Sequence, residues 1–309
     1  MTPLPQLYAA RDRLSESTFA PNTLAGYRYD WRIFEEWCGR YNLAPLPASH
    51  ETISLWLTDQ LEQGKKVSTV RRRAASVVFH HKRAGLASPM ADSTWRLMTA
   101  ASRIRAERPR QMKALTIEQL RLVCRDLAGE DTAIAIRNRA ILAVGFASAL
   151  RRSSLVSLQI EDVEITDSGV VLSIRREKQD RAGKGRLVGL PFGSDPATCP
   201  VRALERWIEV RGPDPGPLFR PVTGGRYRNP MSDEAVTKVV RESLRRVGID
   251  PTGYGSHSLR AGFVTTAANA GVGEFLIASQ TGHRSMEALR KYYRRTEIFK
   301  VNAAAMIGL

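Results

Sequence analysis

Cysteine is scarce in this 309-residue chain: Cys38, Cys124 and Cys199 are odd in number, far apart and in no Cys-x-x-Cys pair. Neither a disulfide framework nor a zinc site is suggested, and a reducing compartment is expected. Long hydrophobic runs are missing too; the longest strongly apolar stretch, Ala140 to Leu150, is too short to cross a bilayer. The first residues carry no basic-then-apolar export signal, so a soluble, cytoplasmic protein with no membrane partner is expected. There is no Gly-x-x-x-x-Gly-Lys-Ser/Thr loop and no acidic cluster at metal-ligand spacing, so neither a nucleotide cofactor nor a metal site is suggested. Acidic side chains are the minority charge, 31 against 47 lysines and arginines, for a net charge of +16. Such a chain is attracted to polyanions. A hydrophobic content of 43% with five tryptophans argues for packed domains rather than a basic tail, and the length suits about two of them.

What is present is concentrated between His257 and Tyr292. His257-Ser258-Leu259-Arg260 puts a histidine and an arginine three residues apart, on one face if the segment is helical. Gln280-Thr281-Gly282-His283-Arg284-Ser285 then reads as a glycine turn delivering a second histidine, with Ser285 as a cap for a following helix. Tyr292 lies within the basic run Arg290 to Arg295, where a tyrosinate is stabilised. Singly these are ordinary features: a surface helix pair, a cap, a half-buried tyrosine. As an ordered set they resemble the C-terminal signature of the tyrosine site-specific recombinases, the phage integrase family.

That resemblance implies another arginine and a lysine upstream. Ala149-Leu150-Arg151-Arg152-Ser153 follows a buried-looking helix that starts after Thr132; by itself it is a pair of arginines answering a helix dipole. It is also similar to the family's Gly/Ala-Leu-Arg-x-Ser motif, which makes Arg151 the implied catalytic arginine. Three short strands are predicted at 163–165, 170–174 and 186–190, and Lys178, at the end of the second, resembles the family's hairpin lysine; Lys184, in the exposed tip, is the less favoured choice. Family members commonly carry an acidic residue where Ser154 stands, so the site lacks one expected charge. The resemblance thus assigns catalysis to Arg151, Lys178, His257, Arg260, His283 and Tyr292, with no metal ligand. Tyr293 is a rival nucleophile, about 100° further around a helix.

The fold implied is mainly α with a small antiparallel β-sheet, arranged as a two-domain DNA clamp: a helical core-binding domain (1–108), a basic linker (109–114) and an α+β catalytic domain (115–309). The first dozen residues look like an unpatterned arm. Leu24, Tyr27, Trp31, Phe34 and Trp37 predict an amphipathic helix with an aromatic core stripe, followed by helices through Trp56, through Val70 and Val77, and through Trp95 to Ile104. His80 and His81 read as helix-end residues. Lys65, Lys66, Arg71, Arg72, Arg73, Lys82, Arg83, Arg105 and Arg108 are the phosphate-contact candidates, although a run of three arginines can equally be a solvated face. In the second domain Thr116 and Gln119 form a predicted capping box, and further helices start at Pro200 and after Ser232.

Double-stranded DNA is the implied partner, cut through a 3′-phosphotyrosine and exchanged through a Holliday junction in a homo-tetramer on two sites. Ile298, Phe299, Val301, Ile307 and Leu309 are too apolar for a free tail, and residues 297–309 are expected to cover either their own domain or a neighbouring protomer. Two other functions stay open at this level: relaxation by a type IB topoisomerase-like enzyme, and an architectural DNA binder that has lost catalysis.

Overall fold

The computed structural model describes residues 3–105, 111–175, 177, 184–222, 231–283 and 287. The chain divides into two compact units, Met1–Arg110 and Gln111–Leu309.

The first unit is helical: α1 (Leu4–Ser17), α2 (Pro21–Arg40), α3 (His50–Glu62), α4 (Val67–Arg83) and α5 (Asp92–Arg105). Its core forms where the aromatic stripe of α2 (Trp31, Phe34, Trp37) meets Ile53, Trp56 and Leu57 of α3, Val70, Ala74 and Val77 of α4, and Met98 of α5. These positions recur at three- and four-residue steps, which is what places them on one face. Ser49 caps α3 by accepting from the Thr52 N–H at 3.0 Å. Two expectations are corrected here. The first dozen residues are mostly helix rather than an unpatterned arm: alanine, leucine, glutamine and arginine favour the helix intrinsically, although Leu4, Leu7 and Tyr8 stay exposed. In α5, Trp95 and Ile104 face solvent and Met98 alone of the expected apolar group is fully buried.

His81 is a buried structural residue. Its Nε2 accepts from the Ala48 N–H at 2.9 Å and its Nδ1 lies 2.8 Å from the Val77 carbonyl, so the proton resides on Nδ1. His80 stacks on Trp31 with ring centres 4.4 Å apart.

The second unit contains α6 (Ile117–Ala128), α7 (Ala133–Ser148), α8 (Arg152–Ser157), β1 (Val163–Thr166), β2 (Gly169–Ile174), β3 (Arg186–Pro191), α9 (Pro200–Arg211), α10 (Asp233–Arg246), α11 (His257–Asn269) and α12 (Glu274–Thr281). Thr116 and Gln119 close a reciprocal capping box on α6, and Thr132 and Ser232 cap α7 and α10. The sheet is antiparallel in the order β1-β2-β3, with Leu172 opposite Val163 on one side and Val188 on the other. α7 is apolar almost all round and therefore lies in the middle, with Ile136, Ala140, Ile141, Leu142 and Val144 all buried. Trp207 of α9 is buried with its indole N–H donating to the Leu218 carbonyl at 2.8 Å. The segment expected as a linker is fastened to this unit at its far end: the Lys113 N–H donates to Gly253 O and the Leu115 N–H to Ser258 O. Among the described residues no helix is long and apolar enough to cross a membrane.

Candidate active site

Four of the predicted catalytic residues are described, and the fold gathers them from three separate segments. The first is the end of α7. Ala149 adopts the left-handed conformation (φ 48°, ψ 29°) while fully buried, a strain of roughly 1–2 kcal/mol for a residue with a Cβ. The turn sends Leu150 into the core and leaves Arg151, in extended conformation, at the start of α8. It also releases the Ala149 carbonyl, which accepts from Arg260 Nη1 at 2.6 Å.

The second segment is α11, which begins at His257. Its seating depends on a glycine: a Cβ on Gly262 would lie 2.0 Å from the Leu115 carbonyl oxygen and 2.8 Å from the Phe146 ring. Close approach brings Arg260, only 2% exposed, beneath the α7 turn. The third segment is the end of α12, where Gly282 (φ 67°) reverses the chain and the His283 N–H donates back to Ala278 O. Gln280 pins this turn by donating to Ala147 O at 2.9 Å and Gly189 O at 3.3 Å.

Arg260 joins all three. Its Nη1 donates to Ala149 O and Thr281 O, both at 2.6 Å, and its Nη2 lies 3.0 Å from His283 Nε2. A guanidinium can only donate, so His283 Nε2 accepts and the ring proton stands on Nδ1, 2.6 Å from the Thr281 hydroxyl oxygen. The Thr281 hydroxyl in turn donates a hydrogen bond to Ile277 O at 2.6 Å. In this arrangement Arg260 does not offer a free two-pronged fork to one phosphate, because Nη1 already serves two main-chain carbonyls. His283 Nε2 is an acceptor in this arrangement.

The electrostatics follow from crowding of positive groups. Burial, then the charges of Arg260 and Arg151, then His257 and Arg186, push the His283 pKa down to about 4. Loss of hydration, followed by repulsion from Arg260 and Arg151, also lowers His257, although that residue retains solvent contact. Both imidazoles are therefore neutral at pH 7 in the protein alone.

Sequence reasoning missed the anion of the site. Glu177, 8% exposed, sits with Oε1 3.4 Å from Arg151 Nη1 and Oε2 accepting from Arg186 Nε at 3.0 Å. Ser154, the position where the family commonly has an acid, is buried and uncharged. No local pattern announces a carboxylate reaching residues 26 positions away in one direction and nine in the other. Lys178 and Tyr292, with the rival Tyr293, lie outside the described residues; Lys184 is exposed.

Of the DNA-contact candidates, Lys65, Lys66, Arg71, Arg72, Lys82 and Arg83 are exposed, and Arg108 lies outside the described residues. Arg105 is half-buried, donating to Lys65 O at 3.1 Å and to Leu61 O, which ties α5 to the end of α3. Arg73 is a correction: it is buried, 3.7 Å from the fully buried Asp30 carboxylate, because its place on α4 faces the core. Arg72 shares that carboxylate at 2.9 Å from its exposed position. Among the described residues no group of three or more His, Cys, Asp or Glu gathers as a metal site.

The family of the chain that carries this arginine-histidine cluster follows from its similarity to known proteins. The model of the phage integrase family matches residues 111–297, which is more than half of the chain. The chain therefore belongs to that family and is an enzyme of the tyrosine recombinase class. Among individual relatives it is 35% identical over 300 residues to an integrase/recombinase xerD homolog of Selenomonas ruminantium, covering 95% of this chain and 87% of that one. It is 27% identical over 308 residues to tyrosine recombinase XerD of Mycobacterium tuberculosis, covering 93% and 92%. Among solved structures, the Tn1549 transposon integrase in complex with circular intermediate DNA is similar with a TM-score of 0.62 and 18% identity, over 96% of this chain and 98% of that one. XerH site-specific recombinase bound to difH substrate is similar with a TM-score of 0.60 and 16% identity, over 93% and 80%. At these identities the structural likeness speaks for the fold.

Proposed function

We propose that this enzyme is a site-specific recombinase that binds double-stranded DNA, cuts it through a 3′-phosphotyrosine on Tyr292 and exchanges strands between two sites. The observation that carries the reading is the convergence of Arg151, His257, Arg260 and His283 from three chain segments. In the cleavage step the Tyr292 oxygen attacks phosphorus, the bond to the 5′ oxygen breaks, and the tyrosine proton passes to His257. Neutral His257 suits that task, because an imidazole with a depressed pKa has an open nitrogen at pH 7. Lys178 protonates the departing 5′ oxygen. Negative charge growing on the nonbridging oxygens is met chiefly by Arg151, whose side chain is 20% exposed, with Arg260 fixing the frame behind it. The ester energy is kept in the phosphotyrosine, so religation needs neither ATP nor a metal.

The helical unit is the core-binding module, its exposed lysines and arginines contacting phosphates. Strand exchange proceeds through a Holliday junction in a tetramer, with the apolar tail 297–309 of one protomer docked on the next. The catalytic unit offers a surface for it: an apolar groove of about 560 Å³ lined by Phe146, Phe192, Phe263, Val272, Leu276 and Ile277. A cyclic head-to-tail contact of this kind closes naturally into a ring.

One experiment tests these steps together. Covalent adducts captured on genomic DNA map the site; paired and single sites in supercoiled plasmids then receive wild type, Tyr292→Phe and a chain lacking 297–309. Tyr292→Phe is expected to bind without forming an adduct, and the truncated chain to bind single sites without assembling or recombining. Adduct formation by Tyr292→Phe moves the nucleophile, relaxation without exchange favours a topoisomerase-like enzyme, and full recombination by the truncated chain removes the tail from assembly.

A further inference from the structure

We infer that Glu177 is a positioning residue for the active-site arginines. Its buried carboxylate orients Arg151 and Arg186 and couples the β2–β3 region to the turn that carries His283. The inference rests on the assignment of Arg151 to the scissile phosphate given above.

Arg151, Arg186, Arg260 and the two histidines crowd one region, as the depressed His283 pKa records. Unopposed, such like charges repel, and a long arginine side chain escapes toward solvent. Glu177 supplies the opposing charge. Its Oε2 accepts from Arg186 Nε at 3.0 Å, and Arg186 Nη1 in turn donates to Gln280 O at 3.1 Å and Ser279 O at 3.4 Å, the open carbonyls at the end of α12. The turn lies against this pair with no side chain between: a Cβ on Gly282 would be 2.7 Å from Glu177 Oε2 and 2.9 Å from Arg186 Nε.

On its other side Glu177 faces Arg151 at 3.4 Å. That separation exceeds a charge-assisted hydrogen bond of about 2.7–2.9 Å, so the carboxylate orients Arg151 by its charge without gripping it as a phosphate would. The uncharged Ser154, close to Arg151 in the chain, cannot do this. One carboxylate thus holds the arginine of the first segment and the histidine turn of the third in fixed relation.

Removing the charge at constant shape gives a signature that loss of packing does not. Glu177→Gln leaves the phosphate a more positive site, so DNA binding is unchanged or tighter. Arg151 is less well oriented, and cleavage slows by about 100-fold, the scale associated with a misplacement near 1 Å. Glu177→Asp keeps the charge on a shorter arm and is expected to cleave faster than Glu177→Gln. The assay is single-turnover adduct formation on a nicked duplex of the mapped site, read beside the Kd for the same duplex and the Tm. Arg151→Ala is run as the control.

Slow cleavage by Glu177→Gln with retained Kd and Tm, partly restored in Glu177→Asp, supports the inference. Wild-type cleavage by Glu177→Gln overturns it, as does a parallel fall of Tm, binding and cleavage in both variants, which marks a purely structural ion pair. If Arg151→Ala cleaves normally, the phosphate assignment itself fails and this inference with it. If Arg151→Ala is inactive while Glu177→Gln is normal, the inference alone fails.

Discussion

The same motif, one buried carboxylate between two arginines, occurs in both units and does different work. In the helical unit Asp30 is wholly buried and takes Arg73, itself 9% exposed, together with Arg72. Burial raises the Asp30 pKa even against the two guanidinium charges, the mark of a group cut off from water. In the catalytic unit Glu177 is nearly as buried, but both of its arginines keep side chains 20% exposed. In the first cluster one guanidinium, that of Arg73, is drawn into the core while Arg72 stays in solvent; in the second both guanidinium groups stay at an edge that a ligand can meet. Counting arginines does not separate a binding surface from a framework. What separates them is whether the carboxylate takes the guanidinium into the core or leaves it at the surface.

The largest effect that can break this contrast is on stability. Asp30→Ala strands Arg73 as a buried, unpaired charge and is expected to cost the helical unit about 3–5 kcal/mol, measurable by denaturant unfolding or by loss of amide protection in α2 and α4. Asp30→Ala with Arg73→Met should recover much of it. Stability unchanged in the single variant would mean that the Asp30 cluster is as open as the Glu177 one.

A smaller effect is on salt dependence. Lys66→Gln, Arg71→Gln and Lys82→Gln together should reduce the log–log slope of DNA affinity by about 0.9 for each phosphate left without a cation. Arg73→Gln, by contrast, should leave the slope alone and lower the Tm. A slope that follows Arg73 and ignores the exposed trio would reverse the assignment of surface and framework.

The smallest effect is on acid sensitivity, and it sharpens the catalytic side. With a native pKa of about 4 against an ordinary 6.5, His283 stays neutral where the unfolded chain already binds a proton. Its contribution is intact above pH 6.5 and is lost as pH falls toward 4, so acidification through that window destabilises the catalytic unit. His283→Gln should flatten the Tm–pH curve there. A curve that keeps its slope would show that the positive cluster does not bear on His283 as described.

Local signals are legible in the sequence because they depend on neighbours in the chain. The capping box of Thr116 and Gln119, the α2 aromatic stripe and the short strand at 170–174 all rest on residues within a turn or two of one another. The ordered set from Arg151 to His283 is legible for a different reason, its resemblance to a known family. What stays hidden is pairing at a distance: Asp30 with Arg73, Glu177 with Arg151 and Arg186, Arg105 with the end of α3. The N-terminal helix escapes detection on another ground, since a helix made by propensity with little burial leaves no apolar periodicity to find.

The two carbonyls held by Arg260 Nη1 belong to residues 149 and 281, and the arginine lies between them in the chain. On the ribosome, the second of these partners is made well after the first, and after the arginine itself. A nascent or prematurely terminated chain can complete the helical unit long before it can assemble the cluster around Arg260. The order of synthesis thus makes the Arg260 cluster one of the later parts of this chain to form, since its three segments must all be present at once.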